Sequence, residues 1–455
     1  MKTPCSAFAL ALPLALLPVV QEPTDDGLSQ EQLEALSERI KGQIEELRGQ
    51  EFVRPVAVSA TDREGFMEYA HARLDATTTP QDIEAEQFLA SLLGAIPADM
   101  DLLETTLQVL EEQVGGFYDP GTNAFYLMSS FDGKVAEVIL AHELTHALDD
   151  QLYDIDGHVT RLEGNTDAQL AFHSVVEGSG TTAMTQWTLA RVKAGELTLA
   201  DLANVPGMDS PALAEAPPYV WKPLISTYLR GASFLVRSDS VMAGQMKAPT
   251  AEDIHQAFTH PPRSTEQVLH PEKYWDEAMR DEPRQVVVHA EGLPEGWSVH
   301  NRDTLGELGL ALLTWPLDDR AGLDMENPMA VVNMSFTNEA AAGWGGDRWV
   351  LLGNDSARLV HVVTLWDDAQ QAGEFREALT SLSGHMADAA RHVAQEIGLN
   401  LDFGFRIHAS QKPDEVVFSS WAGVGESDLE AILDALSYEE LVPEPEQPAM
   451  PDAPL

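Results

Sequence analysis

The stretch AHELTHALDDQ, residues 141–151, places two histidines and a glutamate in an otherwise apolar helical pattern. On a helix, His142 and His146 lie one turn apart on the same face, where two imidazoles can share one metal ion. Glu143 points to the side of that face and can reach a water molecule at the metal without binding the metal itself. The alternative is an ordinary core helix with two hydrogen-bonded histidines.

Two features of the preceding sequence favour a metal site. The motif lies within an apolar segment, where an unpaired glutamate beside two imidazoles would be costly to bury. A hairpin pattern comes just before it: two β-rich runs, VGGFY and AFYLMS, flank DPGTN, and a predicted helix over residues 134–151 follows directly. A strand beside the helix would be useful at the edge of a cleft, so the sequence favours the metal interpretation.

A hydrolytic zinc site needs a third protein ligand and one open position. Glu177, in SVVEGSGTT, is the best candidate, because its small neighbours let a second predicted helix approach the first closely. His173 lies four residues earlier on the same face and is the runner-up. Asp149 and Asp150 follow His146 too closely to complete a tetrahedron, and we expect them to orient a histidine or to be solvated.

Composition narrows the class of protein. The chain has 455 residues, with 27 Lys and Arg against 74 Asp and Glu, and a formal net charge of -47. A field of this sign repels nucleic acid and anionic lipid headgroups, so neither is expected as a partner. Cys5 is the only cysteine. Disulfides, cysteine nucleophiles, zinc ribbons and iron–sulfur clusters are therefore excluded, and a metal must be held by histidine and carboxylate.

The pattern along the chain predicts an α+β protein. Residues 1–24 hold one lysine and then an apolar run, which is typical of a secretory signal and predicts a periplasmic or extracellular location; a membrane anchor is the alternative. Residues 28–281 are mostly helical around the small hairpin, although residues 201–223, rich in Pro and Ala, are predicted to be loop. Residues 282–440 alternate β-like and helical runs, which predicts a second α+β domain of unknown role. Residues 441–455 are acidic and Pro-rich, and we expect them to be disordered.

HELTH followed at a distance by VVEG resembles the gluzincin superfamily of zinc metallopeptidases, which carry HExxH on one helix and a glutamate ligand on the next. GFYDP, HELTHALDDQ, VVEG and PPRSTEQVLHPEKY together also resemble a group of bacterial proteins with predicted gluzincin-type domains. The resemblance covers residues 52–274. It implies a zincin-like catalytic domain with one Zn²⁺ ion. By match to the motif, the ligands would be His142, His146 and Glu177, and the general base would be Glu143.

The chain departs from the best-known gluzincins at Thr181, where those proteins have a carboxylate that orients a ligand histidine. Asp150 or Asp167 could take that role here, and the sequence does not decide which residue orients the ligand histidine. The same resemblance implies a secreted peptidase that acts on a peptide or protein substrate. The strand AFYLMSS could bind such a substrate by pairing with its backbone.

The oxyanion formed in peptide hydrolysis needs a hydrogen-bond donor besides the metal. The sequence favours Tyr228 in STYLRGASF, while Tyr118, Tyr126 and His270 compete with it. His270 belongs to PPRSTEQVLHPEKYW, residues 261–275, which either lines the cleft or is a structural turn with a helix capped by Ser264 or Thr265.

Two other functions are compatible with the sequence. A binding or scaffold protein could retain the peptidase fold without activity, and a zinc hydrolase could act on a non-peptide amide. The intact set of ligands with its adjacent glutamate favours an enzyme over a scaffold. The zinc chemistry does not separate peptides from other amides.

Overall fold

A computed structural model describes residues 14–16, 28–131, 133–198, 201, 211–319, 334–398, 402–410 and 412–441. Helices are mixed with strands that form small sheets, so the predicted α+β class is confirmed. The predicted signal segment, apart from Leu14–Leu16, and the predicted disordered tail, apart from Leu441, lie outside the described residues.

Helices dominate the chain before residue 276, and they run in the order α1 (Gln30–Arg48), α2 (Arg63–Thr77), α3 (Pro80–Leu92), α4 (Leu102–Gln113), α5 (Gly133–Tyr153), α6 (Ile155–Arg161), α7 (Thr166–Ala194), α8 (Pro211–Glu215), α9 (Pro218–Leu235), α10 (Val241–Met246), α11 (Ala251–Thr259), α12 (Thr265–Leu269) and α13 (Glu272–Trp275). The strands of this half are β1 (Leu14–Leu16), β2 (Ala57–Thr61), β3 (Val114–Asp119) and β4 (Ala124–Met128). The later elements are β5 (Gln285–Ala290), β6 (Ser298–Asp303), α14 (Gly306–Thr314), a 3₁₀ turn (Leu317–Asp319), β7 (Trp344–Asn354), β8 (Ala357–Trp366), α15 (Ala369–Glu396), β9 (Phe403–His408), β10 (Glu415–Ala422), α16 (Glu426–Ala435) and β11 (Leu436–Leu441).

The hairpin predicted before the HELTH helix is confirmed. β3 and β4 pair antiparallel, with Phe117 opposite Tyr126, and Asn123 closes the turn in the left-handed conformation (φ 52°). β4 also pairs in parallel with β2, and the other side of β3 pairs with β1. Both edges of β4 are therefore occupied. The prediction that AFYLMSS offers an edge to a peptide is wrong, because a strand from a distant part of the chain pairs with it.

Helix α7 runs unbroken through Gly178 and Gly180, where the sequence suggests a weakening. Asn165 caps its N-terminus, because the side chain accepts a hydrogen bond from the backbone N–H of Ala168. A Cβ on Gly178 would lie only 2.3 Å from the backbone carbonyl carbon of Gly231 in α9. The glycines thus allow α7 and α9 to cross at backbone contact, and this packing offsets their low helix propensity.

Part of the stretch predicted to be loop is helical. Residues 202–210 lie outside the described part of the chain, but α8 covers residues 211–215 and the first turns of α9 begin at Pro218. Pro218 stands at the first position of α9, where its missing N–H costs nothing. Pro223 falls inside the helix, yet the buried face that includes Trp221 packs into the core. The loop prediction is wrong here because tertiary packing outweighs the loss of one helical hydrogen bond.

The C-terminal half is built on an antiparallel sheet with the strand order β6-β7-β8-β10-β9. Phe375 and Met386 of α15 belong to the apolar cluster on one face of this sheet, together with Phe418 of β10. The ribbon of β5 and β11 joins α16 in a second cluster on the other face. The first cluster continues into the N-terminal half as far as Leu33 of α1. The two predicted domains therefore share one core, and the boundary at residue 282 stays a prediction.

The PPRSTEQVLHPEKYW segment joins the two halves of the chain. Ser264 caps α12 by accepting a hydrogen bond from the backbone N–H of Gln267, as one of the two predicted caps. The backbone N–H of Thr265 donates to Oδ1 of Asp167, near the start of α7, at 3.0 Å. This contact ties the segment to the helix that carries Glu177.

The second half of the same segment contacts the C-terminal half. Nε2 of His270 lies 2.9 Å from Oε1 of Glu307 in α14, and Nζ of Lys273 lies 2.9 Å from Oδ2 of Asp367 after β8. Arg263 of the same segment forms a surface ion pair with Glu282. These contacts fit the structural-turn alternative for the segment, because its polar side chains bind the neighbouring half of the protein.

Asp167 makes the stability of this junction depend on pH. Burial raises the pKa of Asp167 to about 7, since hydrogen bonds from Thr265 oppose burial only in part and the nearby Asp347 and Glu307 carboxylates add to it. The folded state then holds a proton that the unfolded state releases near pH 3.8. The free energy of unfolding is therefore expected to fall by up to roughly 4 kcal/mol as the pH rises from 3.8 to about 7.

Urea unfolding of the metal-free protein at acidic and at neutral pH measures this effect. We expect Asp167→Asn to shrink the difference in unfolding free energy between the two pH values, because the amide cannot ionise. Asp355→Asn, in the exposed turn between β7 and β8, is the matched control and should leave the difference unchanged. An Asp167→Asn variant with the pH dependence of the wild type would contradict the assignment.

Candidate metal centre

His142 and His146 lie on α5 and Glu177 lies on α7, and all three side chains are buried. Nε2 of His146 is 2.8 Å from Nε2 of His142. Oε2 of Glu177 is 3.2 Å from Nε2 of His142 and 3.5 Å from Nε2 of His146. The structure thus brings together the three residues that the sequence proposed, in a group that can hold a metal ion.

The spacing of the three donor atoms fits a small tetrahedral ion. With metal–ligand bonds of about 2.0–2.1 Å, neighbouring ligands of a tetrahedral ion lie about 3.3–3.4 Å apart. The three distances here, 2.8, 3.2 and 3.5 Å, fall on both sides of that value. Two imidazoles and one carboxylate also leave the fourth position open, which a hydrolytic metal site requires.

Both imidazoles are held in the neutral form that binds metals. Burial and the adjacent His146 lower the pKa of His142, although the carboxylate of Glu177 opposes this. Burial lowers the pKa of His146 to about 4, with Asp149 raising it and Arg48 lowering it further. A neutral imidazole keeps the free electron pair that a metal ion needs, so no proton has to leave before metal binds at neutral pH.

Gly180 on α7 makes room for the two ligand rings. A Cβ at this position would lie 2.8 Å from Cε1 of both His142 and His146. Any other residue would therefore push against both rings. The HExxH pattern does not reveal this requirement, which follows from the way that α7 crosses α5 beside Glu177.

Glu143 is fully buried on α5 next to His142. Burial raises the pKa of the phenol of Tyr69 in α2, and the charges of Asp119 and, to a smaller extent, Glu143 add to this. Tyr69 stacks on Phe117 of β3 with 4.4 Å between ring centroids, and its hydroxyl is buried without a hydrogen-bond partner among the described residues. The sequence did not single out Tyr69, because only the tertiary fold packs it against the hairpin.

Of the four predicted oxyanion donors, Tyr228 contacts a ligand: its ring lies parallel to that of His142, with 5.9 Å between centroids. Tyr118 instead donates a hydrogen bond to Oδ2 of Asp150 at 2.9 Å. Tyr126 stacks on the opposite strand of the hairpin. The fourth candidate, the histidine of the PPRSTEQVLHPEKYW segment, is bonded to α14. The geometry therefore favours Tyr228.

The aspartates expected to orient a ligand histidine bind other groups. Asp149 forms an ion pair with Arg48 (2.6 Å), and Asp150 accepts a hydrogen bond from Tyr118. Asp167, in the first turn of α7, accepts a hydrogen bond from the backbone N–H of Thr265 in α12. Within the part of the chain that the structure describes, none of the three aspartates is hydrogen-bonded to a ligand histidine.

Two further buried polar atoms near the ligands have no hydrogen-bond partner in the described residues. Oγ1 of Thr181 is buried one turn after Glu177, at the position where the best-known gluzincins have a carboxylate. His173, the runner-up ligand, is buried one turn before Glu177 with Nδ1 unpaired, and it is not part of the converging group. Burial, with the nearby Arg73, lowers the pKa of His173 to about 4, so this imidazole is neutral.

A second group of carboxylates, Glu266, Asp281 and Asp367, could in principle hold a cation. Its centre is occupied by Nζ of Lys273, at 2.6, 2.8 and 2.9 Å from the three side chains. The chain supplies its own cation there, so this cluster is part of the junction between the two halves.

The comparisons with known proteins give a match, and it does not include the candidate metal ligands. A family model described as a domain of unknown function (DUF8575) matches residues 296–437, which lie in the C-terminal half and do not include the candidate metal ligands. Neither curated proteins nor solved structures give a significant match. In the described residues, the structure has no helix with the length and apolar character needed to cross a membrane.

Proposed function

We propose that this protein is a zinc-dependent peptidase. The observation that carries the proposal is the convergence of His142, His146 and Glu177 on one point, with Glu143 at the adjacent position of the same helix. Two imidazoles and a carboxylate are a common ligand set of hydrolytic zinc, and an acidic residue beside it can serve as a base. The resemblance of HELTH and VVEG to gluzincins supports the same reading.

A zinc ion held by His142, His146 and Glu177 would supply the Lewis acidity that activates water and polarises a carbonyl group. Glu143 accepts the proton of the attacking water and passes it to the leaving amine. Its burial places this proton transfer in a low-dielectric environment, where electrostatic interactions are strong. Tyr228, beside the ring of His142, donates a hydrogen bond to the carbonyl oxygen as negative charge develops on it.

The proposed substrate is a peptide or protein outside the cytoplasm. The apolar run within residues 1–24 supports export, as the sequence predicts. The net charge of -47 disfavours nucleic acid and anionic lipid as partners and favours basic peptides. A non-peptide amide would be hydrolysed by the same residues, so substrate screening has to separate these two classes.

The complete burial of the centre favours a second candidate, a binding protein with a non-catalytic metal site. The side chains of Glu143 and His146 are 0% exposed, and a substrate has to reach the first of them. A metal site with a purely structural role needs no path for a substrate, whereas a catalytic site needs one to its open coordination position. The peptidase proposal therefore requires a movement that admits substrate.

Zinc content is the first test, on chain purified without residues 1–24. We expect one zinc ion per chain in the wild type. Glu177→Ala should weaken zinc affinity by more than about 100-fold, which exceeds the usual effect of losing a residue that only supports a ligand. Glu196→Ala, exposed just beyond the end of the same helix, is the control and should bind zinc as the wild type does.

Casein and a mixed peptide library then separate the two candidates. Zinc-dependent cleavage that a chelator abolishes supports the peptidase. A wild type that binds zinc but cleaves neither substrate favours the binding protein. If the wild type takes up no zinc, both candidates fail and the HELTH segment is only a helix.

A further inference from the structure

The last residue of α1, Arg48, is buried between the two helices that carry the metal ligands. Its side chain lies against Asp149 of α5, with Nη2 to Oδ1 at 2.6 Å and Nη1 to Oδ2 at 3.3 Å. Nη1 also donates to Oγ of Ser179 in α7 at 2.9 Å, and that hydroxyl donates to Oδ2 of Asp149 at 2.6 Å. Only 8% of Arg48, 0% of Asp149 and 1% of Ser179 are exposed, so water does not screen these contacts.

These three residues stand next to the ligands along the chain. Asp149 follows His146 by one helical turn, and Ser179 follows Glu177 by two residues. We propose that Arg48 is a positioning residue of the metal centre: it holds α5 and α7 at the separation at which the ligands meet. This inference rests on the zinc centre proposed above, and it assigns to α1 a role in metal binding.

The chemistry of the contact favours arginine over any other residue. A planar guanidinium binds a carboxylate through two parallel hydrogen bonds, and this geometry fixes orientation as well as distance. A lysine would carry the same charge, but its single ammonium group cannot form the two parallel hydrogen bonds. Asp149 is on the same helix as His146, so a change in its position changes the position of the ligand ring.

Helix α1 is itself held in place by the core and by α7, so it can fix the positions of Asp149 and Ser179. Ile40 and Ile44 are fully buried in the main apolar cluster. Nε1 of Trp187, further along α7, donates to Oε1 of Gln43 at 2.8 Å. Helix α1 is therefore attached to α7 at two places and to α5 through Asp149, which makes it an integral part of the fold.

The test compares four variants of the full chain. Arg48→Lys keeps the charge but cannot form the two parallel hydrogen bonds, Ser179→Ala removes the bridging hydroxyl, and Arg48→Met removes the charge. The matched control is Arg39→Met, because Arg39 joins α1 to α5 through an ion pair with Glu137 at 3.2 Å in which the arginine side chain is 44% exposed. Zinc affinity is measured by competition with a chromophoric chelator, and the visible spectrum of the cobalt-loaded protein reports the coordination geometry.

We expect Arg48→Lys and Ser179→Ala to weaken zinc binding by about 10–100-fold, as is usual for residues that support metal ligands, and to alter the cobalt spectrum. Arg39→Met should match the wild type in both. Thermal unfolding of each metal-free variant separates positioning from stability. If Arg48→Lys and Ser179→Ala unfold at lower temperature but bind zinc and cobalt as the wild type does, Arg48 is merely structural and the inference is wrong. A wild type without zinc affinity would instead refute the metal centre itself.

Discussion

Glu143→Gln is expected to lower kcat for peptide hydrolysis by about 10²–10⁴-fold, the usual contribution of a general base, while zinc content stays at that of the wild type. Glutamine has nearly the same shape as glutamate but cannot accept the proton of the attacking water. The substitution replaces a fully buried carboxylate with a neutral group, so it should not destabilise the fold. Hydrolysis of a cleaved library peptide, with zinc measured on the same sample, tests this expectation.

The matched control is Glu137→Gln, on the same helix α5 but paired with Lys134 and Arg39 away from the ligands. It should retain the kcat of the wild type. Tyr228→Phe provides a comparison within the site: it should retain zinc and lose activity, because only the hydroxyl is removed. If Glu143→Gln keeps full activity with zinc bound, Glu143 is not the base and the mechanism has to be revised.

Gly231→Ala is expected to destabilise the protein by about 3 kcal/mol and to weaken zinc binding, although Gly231 is not a ligand. A Cβ at this position would lie 1.9 Å from the backbone carbonyl oxygen of Ser174 in α7. Because the obstructing atom belongs to the backbone, no side-chain rotation can relieve the contact. Helix α7 would have to move away from α9, and Glu177 would move with it.

Urea unfolding and zinc competition measure the two effects of Gly231→Ala separately. Gly42→Ala is the control, because Gly42 is an exposed helical glycine of α1 whose Cβ would meet nothing within 4 Å. That variant should gain up to about 1 kcal/mol from the better helix propensity of alanine and bind zinc normally. A Gly231→Ala variant as stable as the wild type would show that the crossing of the two helices is loose.

Several features could be predicted from local sequence. The hairpin before HELTH, the Ser264 cap and the α+β class follow from turn residues, capping side chains and apolar periodicity, which act over a few residues. The pairing of His142 with His146 is of the same kind, because the spacing on one helix places both rings on one face. Glu177 could also be proposed as a ligand, since the small residues around it indicate a close approach of two helices.

The sequence failed where a distant part of the chain changes the local outcome. Strand β2 pairs with β4 and removes the edge that was predicted to bind a peptide. Packing of α9 made part of a Pro-rich stretch helical. Asp149 and Asp150 were expected to orient a ligand histidine or to be solvated, yet Arg48 and Tyr118 bind them, and neither partner has a local signal.

By itself, then, the sequence placed His142, Glu143 and His146 together, because one-turn spacing on a helix is a local property, and it proposed Glu177 from the small residues around it. It also limited any metal to histidine and carboxylate ligands, since the chain has a single cysteine. Only the tertiary structure decided that the donors meet within 3.5 Å, that Gly180 leaves room for the rings, and that Arg48 lies between the ligand helices. Those facts depend on how α1, α5 and α7 pack, and packing depends on contacts between residues far apart in the chain.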